Sequence, residues 1–376
     1  MGENSTKDTK EEKNERFSLD DFVFEIADHL IAQEPLFKRD ASRMIVRYFD
    51  GNISHKSIQD FPSELPKGSL VIFNDSKVIP ARLLGFVDKS RVEVFLLEKE
   101  GLLWKALGKP MRKLKRGTKI DLSGGVIAVI EDEEPGDSPS IRISFNLDEE
   151  DLARWIEENG YIPLPPYISR KDPVRAPNSL DRERYQTIYA NKKGSVAAPT
   201  AGLHFSESLL FSLQKRDISV AFVTLHVGGG TFLPVKSKEL SKHKMHREKF
   251  VVPADTLRII KEKKALGLPI VAVGTTTFRC LESFELREEI EKMDIEKYKE
   301  EWKETDLFIF PKKPGDIYKS QLFDAILTNF HQPGSTLFML IAALIELKEA
   351  RHLYSSAIKE SYRFFSYGDA SFLWLK

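Results

Sequence analysis

A single cysteine, Cys280, occurs among 376 residues. It has no partner within the chain, which excludes an internal disulfide framework and any zinc or iron–sulfur site built from several cysteines, and fits a reducing, cytoplasmic setting. Long apolar runs are also missing. The longest, Leu337 to Ile345, is far shorter than the ~20 residues a membrane span needs, so a soluble protein is expected. Met1 to Arg16 is polar and mixed in charge, without the apolar core of a secretory signal, and reads as a disordered tail. No charge of either sign prevails: 57 basic residues face 57 acidic ones. That excludes a polycation field over the whole molecule, so an RNA partner would be held by local patches. No Gly-x-Gly-x-x-Gly follows a strand pattern and no Gly-Lys-Ser/Thr closes a phosphate loop, which argues against a dinucleotide cofactor and a P-loop nucleotidase. No repeat of solenoid period is found.

The length suggests two domains, since one core rarely grows past ~250–300 residues. After a short ordered segment from Phe22 to Leu36, a strand is expected over 42–48. From Gly68 to about Leu147 the pattern is mostly β, with strands expected over 69–73, 91–97, 103–107, 125–130 and 140–145, and reads as a small barrel or sandwich. An amphipathic helix follows over 148–158, then a proline-rich connection over 162–167 that resembles a domain boundary. From Ser195 onward strands alternate with helices expected over 206–215, 255–266, 279–293 and 336–349, the pattern of an α/β domain with a largely parallel sheet. The charged stretch Glu285 to Glu304 reads as a solvated helical excursion.

Four stretches share one arrangement, an apolar β-type run and then a loop of Gly, Thr, Asn or His. They are Ser195–Phe205, Phe222–Phe232, Ile270–Arg279 and Ile326–Thr336. In an open parallel sheet, ligands bind outside the carboxyl ends of the strands, so these loops can meet in one crevice. His204, His226 and His331 each sit in such a loop; as a group they suit proton transfer, whereas any one of them could simply brace its loop. Gly228, Gly229, Gly230 and Thr231 would let backbone amides approach a ligand, or would form a plain turn. Gly274-Thr275-Thr276-Thr277 opens a helix and offers an anion or carboxylate cradle, with Arg279 adding a positive charge. His243, His246 and Glu248 could ligate a metal, although their order differs from His-Glu-x-x-His, and loop-ordering roles are preferred. Leu103 to Gly117 carries Lys105, Lys109, Arg112, Lys113, Lys115 and Arg116 without an acid. It could grip a phosphate backbone, or form a soluble strand pair neutralised by Glu131 to Glu134. Near the C-terminus, the Tyr367-Gly368-Asp369 turn could present Asp369 as a base or hydroxyl-binding carboxylate.

These residues resemble one family through nearly the whole chain. The motifs are Leu30-Ile31-Ala32-Gln33 with Arg39 and Ser42-Arg43; Phe73-Asn74-Asp75-Ser76-Lys77-Val78-Ile79-Pro80-Ala81-Arg82; residues 160–168; Tyr185-Gln186-Thr187-Ile188-Tyr189-Ala190; the loops 197–205 and 224–235; residues 243–248 and 274–283; and 327–340 and 362–370. The chain is identified by them as similar to the S-adenosylmethionine:tRNA ribosyltransferase-isomerases of queuosine biosynthesis. The resemblance implies an α/β domain with a β-barrel inserted near its N-terminal end: a catalytic domain of residues 17–67 and 148–376, a barrel of 68–147, and the tail 1–16. It implies transfer and isomerisation of the ribosyl part of S-adenosylmethionine onto a 7-aminomethyl-7-deazaguanine base at the tRNA wobble position. Epoxyqueuosine would form, with release of adenine and methionine. S-adenosylmethionine is then a substrate, and neither a resident cofactor nor a metal is expected. Under this resemblance His204, His226, His331 and Asp369 are the catalytic candidates. Arg82, Thr200, Gly202, Gly228, Gly229, Gly230, Thr231, Thr275, Thr276, Arg279, Asn329 and Arg363 are the substrate-binding ones. Gln332 and Gly334 depart from the family pattern, which has a leucine and a lysine there, and so do Ser371-Phe372; Lys312 and Lys313 are possible substitutes for the missing charge. The rival readings are a metal-dependent hydrolase using His243, His246 and Glu248, and a non-catalytic homologue that binds tRNA or S-adenosylmethionine. A monomer is the expected state.

Overall fold

The computed structural model describes residues 16–134, 139–170, 179–229, 239–243, 245–284 and 292–375. Nearly all of the tail expected over Met1 to Arg16 lies outside them. The chain divides into two compact units. One comprises Met1–Asn74, Thr200–Leu225 and Leu233–Lys376, and the other Asp75–Pro199 and His226–Phe232.

The first unit is built on a nine-stranded sheet. At its centre Ser219–Leu225, Leu70–Asn74, Ile270–Val273 and Ala325–Asn329 lie side by side and parallel. The last three are buried at every position. Their unbroken apolar sequences are what a strand covered on both faces requires. Beyond this core the sheet is mixed. Glu248–Val251 and Lys303–Thr305 extend one side in antiparallel fashion. On the other side Ala370–Trp374 runs antiparallel to Ala325–Asn329, Arg43–Arg47 runs parallel to it, and Ile53–Ser57 turns back at the edge. The strand Leu70–Asn74, expected in the barrel, is instead the middle of this sheet. Its apolar run Leu70-Val71-Ile72-Phe73 has the composition of a doubly covered strand, which local pattern alone does not distinguish from a barrel strand.

The helices begin where their caps dictate. Ser206 Oγ accepts from the amide of Leu209 and starts Glu207–Lys215, and Ser335 Oγ does the same for Phe338 at Thr336–Ile345. The single helix expected over 336–349 is two, because Glu346 takes φ of 74° and Leu347–Lys359 starts anew behind it. The helix expected over 279–293 starts earlier, as Thr275–Glu282. Of the expected helical excursion over 285–304, residues 285–291 lie outside the described ones. From Met293 on there is only a 3-10 turn at Ile295–Lys297 before the strand Lys303–Thr305.

The second unit contains a closed six-stranded antiparallel barrel: Arg82–Val87, Ser90–Glu100, Leu103–Lys109, Lys119–Asp121, Ile127–Glu134 and Ser140–Phe145. Its interior is filled by Leu83, Val92, Val94, Leu96, Ala106, Ile120, Ile130, Ile141 and Ile143, alternate residues of the strands. The helix Glu149–Asn159, capped by Asp148 on the amide of Asp151 at 2.8 Å, adds Leu152 and Ile156 to this core. The strand Arg82–Val87 escapes a sequence reading because Gly85 interrupts it. A side chain there would meet Ile120 at 2.7 Å and the carbonyl of Asp121 at 2.8 Å, so glycine lets the neighbouring strand close in. A second, two-stranded sheet pairs Ser76–Val78 with Lys192–Ser195. The β-run expected over 195–198 therefore ends at Ser195, where it begins, and Thr200–His204 is a 3-10 turn.

Candidate active site

In the first unit, the carboxyl ends of the parallel strands are tied by side chains. Asn74, the last residue of its strand, donates from Nδ2 to the carbonyl of Leu225 at 2.9 Å and accepts the amide of Leu225 on Oδ1 at 3.0 Å. Nδ2 also lies 3.2 Å from Thr276 Oγ1. One asparagine thus joins the ends of two strands to the start of the helix Thr275–Glu282. Gly274, at φ of 89°, makes the strand-to-helix turn in the left-handed region that glycine enters freely. Thr275 is buried and Thr277 Oγ1 donates to the carbonyl of Val273 at 2.7 Å, so Thr276 is the half-exposed hydroxyl of the three.

A second cluster joins four separate segments of the same unit. Ser42, just before the strand Arg43–Arg47, has Oγ 2.8 Å from Nδ1 of His204. His204 Nε2 lies 3.1 Å from Nδ2 of Asn329, the last residue of its strand, and that nitrogen also donates to the carbonyl of Phe365 at 3.1 Å. His204 is buried, and burial first, then the charge of Arg363, pushes its pKa down to about 4. His331, in the loop after Asn329, is buried too, which pushes its pKa down to about 3. Its Nε2 meets Thr328 Oγ1 at 3.0 Å and its backbone amide donates to the hydroxyl of Tyr354 at 2.9 Å. Both imidazoles are therefore neutral near pH 7.

The C-terminal turn closes on Asp369. Its Oδ1 accepts the amide of Arg43 at 3.0 Å and its Oδ2 the amide of Arg363 at 2.8 Å. Burial raises the carboxyl's pKa despite those amides and the charges of Arg363 and Arg43. With both oxygens on backbone amides, Asp369 holds the turn in shape rather than facing a substrate as a free base. Arg363 is half-buried; its Nη2 donates to the carbonyl of Glu34, and its Nη1 is buried without a hydrogen-bond partner among the described residues. Burial lowers its pKa. Thr200 and Gly202 belong to the 3-10 turn that ends in His204, and Gly202 is buried.

Arg279 does not serve as expected. It is buried, with Nε on the carbonyl of Leu307 at 3.0 Å and Nη1 on the carboxylate of Glu248, so its charge is spent inside the unit. The same ion pair removes the carboxylate from the metal reading of His243, His246 and Glu248. Among the described residues no group of three or more His, Cys, Asp or Glu side chains could hold a metal ion.

In the second unit His226 has Nδ1 2.8 Å from Ser76 Oγ. Its ring lies against Gly194, where an added Cβ would come within 2.6 Å of Nε2. A Cβ on Gly229 would meet Leu97 Cδ2 at 2.2 Å, so that glycine answers to packing on a barrel strand. Gly228 is half-buried beside it, while Gly230 and Thr231 lie outside the described residues. Arg82 pairs with Glu93 across two barrel strands, Nη2 to Oε2 at 2.9 Å. Of the six cations between 105 and 116, Lys105 and Lys115 pair with Glu134 and Glu133, while Lys109, Arg112, Lys113 and Arg116 make no ion pair among the described residues. Sequence reasoning passed over Ser42, Asn74, Ser76 and Gly194. The first three stand inside the motifs that carried the resemblance, and the signal was there in small polar residues flanking apolar strands.

A profile of the family described as "Queuosine biosynthesis protein" matches residues 19–373. The chain belongs to this family. Proteins called S-adenosylmethionine:tRNA ribosyltransferase-isomerase are its relatives. The one from Jannaschia sp. is 42% identical over 365 residues, covering 94% of this chain and 97% of the relative. The one from Thermosipho melanesiensis is 42% identical over 359 residues, covering 95% and 99%. The crystal structure of S-adenosylmethionine tRNA ribosyltransferase from Thermotoga maritima aligns with a TM-score of 0.51 and 32% identity, covering 94% of this chain and 99% of that one. The loop after Asn329 turns at Gly334, where the resemblance led to the expectation of a lysine. Gly334 takes φ of 67° and its amide donates to the carbonyl of Phe22 at 2.9 Å. Glycine suits that backbone better than the lysine expected there would.

Proposed function

We propose that this chain is an S-adenosylmethionine:tRNA ribosyltransferase-isomerase. It moves the ribosyl group of S-adenosylmethionine to the aminomethyl group of a 7-deazaguanine wobble base and rearranges it to epoxyqueuosine, releasing adenine and methionine. The observation that carries this is the kinship along the whole chain with enzymes of that name. The chemistry sets its own demands. The sulfonium acidifies the adjacent ribose protons, so a neutral base suffices to remove one, and the attacking amine must itself be uncharged. His226 is the base in this reading, its ring braced through Nδ1 by Ser76 and seated on Gly194. S-adenosylmethionine enters as ribosyl donor, with no resident cofactor or metal.

The tRNA partner is supported by the barrel. Among the described residues Lys109, Arg112, Lys113 and Arg116 stand without ion pairs on one connection between strands. The turn that bears Lys89 and Arg91 is tied to this connection through Lys113 and Ser90. Cations grouped in this way without acidic partners suit contacts to a phosphate backbone. Among the described residues no helix is long and apolar enough to cross a membrane. A cytoplasmic monomer acting on tRNA completes the reading. Incubation with S-adenosylmethionine and precursor-bearing tRNA, followed by mass analysis of the nucleosides, tests it: epoxyqueuosine is expected, and its absence with active controls would refute the assignment.

A further inference from the structure

The orientation of one amide decides the protonation of His204. The carbonyl of Phe365 can only accept a hydrogen bond, so the Asn329 atom 3.1 Å from it must be the nitrogen, Nδ2. The second hydrogen of Nδ2 then points at His204 Nε2, 3.1 Å away. A nitrogen that receives a hydrogen cannot carry one. In the neutral imidazole the proton therefore sits on Nδ1 and is given to Ser42 Oγ at 2.8 Å. This orientation gives Nδ2 two hydrogen bonds but leaves Oδ1 buried with no partner among the described residues, a loss of ~1–3 kcal/mol. The surroundings impose the orientation.

We propose that His204 is a positioning residue and not a proton carrier: fixed as the Nδ1–H tautomer by Ser42, it uses the Nε2 lone pair to hold the Asn329 amide at the end of its strand. To accept a proton at Nε2, His204 would have to release Asn329, and with it the contact to Phe365. Phe365 is also bound through its own amide to the carbonyl of Phe330, at 3.2 Å, so the tie reaches the loop that carries His331. Burial and the facing charge of Arg363, whose amide Asp369 holds, both oppose an imidazolium here and keep the tautomer in place.

This inference rests on the proposed reaction only for its kinetic test. In nitrogen-15 spectra of the histidine-labelled full chain, the His204 ring is expected to show a protonated Nδ1 and a bare Nε2, unchanged between pH 5 and 8; the resonance is assigned by its loss in His204→Gln. A proton on Nε2, or titration within that range, overturns the proposal whether or not the chain is active. In ribosyl transfer to tRNA, His204→Gln supplies a neutral acceptor close to the place of Nε2. It should keep kcat within about tenfold with an unchanged pH profile, whereas His204→Ala falls further. Removal of a true general base costs ~10²–10⁴-fold. If the glutamine and alanine variants both fall by that much while folded, His204 carries the proton and the proposal fails. A wild-type chain that forms no epoxyqueuosine would sink the functional reading, while the ring spectra would still decide the tautomer.

Discussion

Replacing Glu248 and Arg279 separately and together distinguishes a brace from a binding residue. Both side chains are 6% exposed, and Arg279 Nη2 is already buried without a partner among the described residues. Glu248→Met leaves a guanidinium uncompensated in a medium that strongly disfavours it, and Arg279→Met takes the cation away from a buried carboxylate. Each single change should destabilise the first unit by roughly 3–5 kcal/mol, whereas replacing both with methionine is often neutral or favourable. In a unit of this size each kcal/mol lowers the melting temperature by about 2–4 °C, so each single variant should melt roughly 6–20 °C early and the double variant near the wild type. Calorimetry and denaturant titration of the four proteins give the coupling between the two sites. Because Arg279 is spent on Glu248 and the carbonyl of Leu307, the double variant should keep its KM for S-adenosylmethionine within a few-fold. A double variant that is stable yet binds S-adenosylmethionine tens of times more weakly would refute the argument and return Arg279 to the substrate.

Three further outcomes follow from the geometry. His204 and His331 have folded pKa values of about 4 and about 3 against ~6.5 unfolded, so the unfolded chain binds more protons below pH 6.5 and stability falls as pH drops through that window, by about 3 kcal/mol or more from each; a denaturation midpoint that stays flat from pH 7 to 5 would contradict it, and His204→Gln should lessen the slope. Alanine strains the backbone at both Gly194 and Gly101, which have positive φ, but only Gly194→Ala also pushes a methyl to within 2.6 Å of His226 Nε2; it should cut ribosyl transfer at least tenfold, whereas Gly101→Ala, which meets nothing within 4 Å, should leave the transfer rate of the folded chain unchanged. Exchanging Lys109, Arg112 and Arg116 for alanine should weaken tRNA binding and flatten its dependence on salt by about 2–3 in the log–log slope; the same three changes at the exposed Lys299, Lys319 and Lys348 should not, and equal effects from both sets would reduce the barrel patch to net charge.

Much of the fold was legible because its signals are local. The buried parallel strands announce themselves as apolar runs, and the helices start at Ser206 and Ser335, where side-chain oxygens accept the first free amides. What escaped depends on partners far along the chain. Leu70–Asn74 has the same local pattern whether it lies in a barrel or in the middle of a sheet, and only its pairing with Ser219–Leu225 and Ile270–Val273 decides. The site shows the same limit. Composition and position picked out His204, Asn329 and Asp369, yet their roles turned on Ser42, Phe365 and Arg43, each distant in sequence from the residue it holds. Arg279 was misread for a similar reason, since nothing near it in the chain reveals that Glu248 waits inside the fold.

The strand order also fixes a timetable for synthesis. The barrel's pairings all fall within residues 82–145, so it can close once that stretch has left the ribosome. Leu70–Asn74, by contrast, must wait for Ile270, and Arg43–Arg47 for Ala370–Trp374, more than three hundred residues later. At ~5–20 residues per second the first of these waits is on the order of ten seconds or more. During that time an apolar strand destined for the centre of a sheet has no partner on that side. The nascent chain is thus most open to misassembly and to chaperones after its barrel is complete, and the sheet is sealed only once Ala370–Trp374 has emerged.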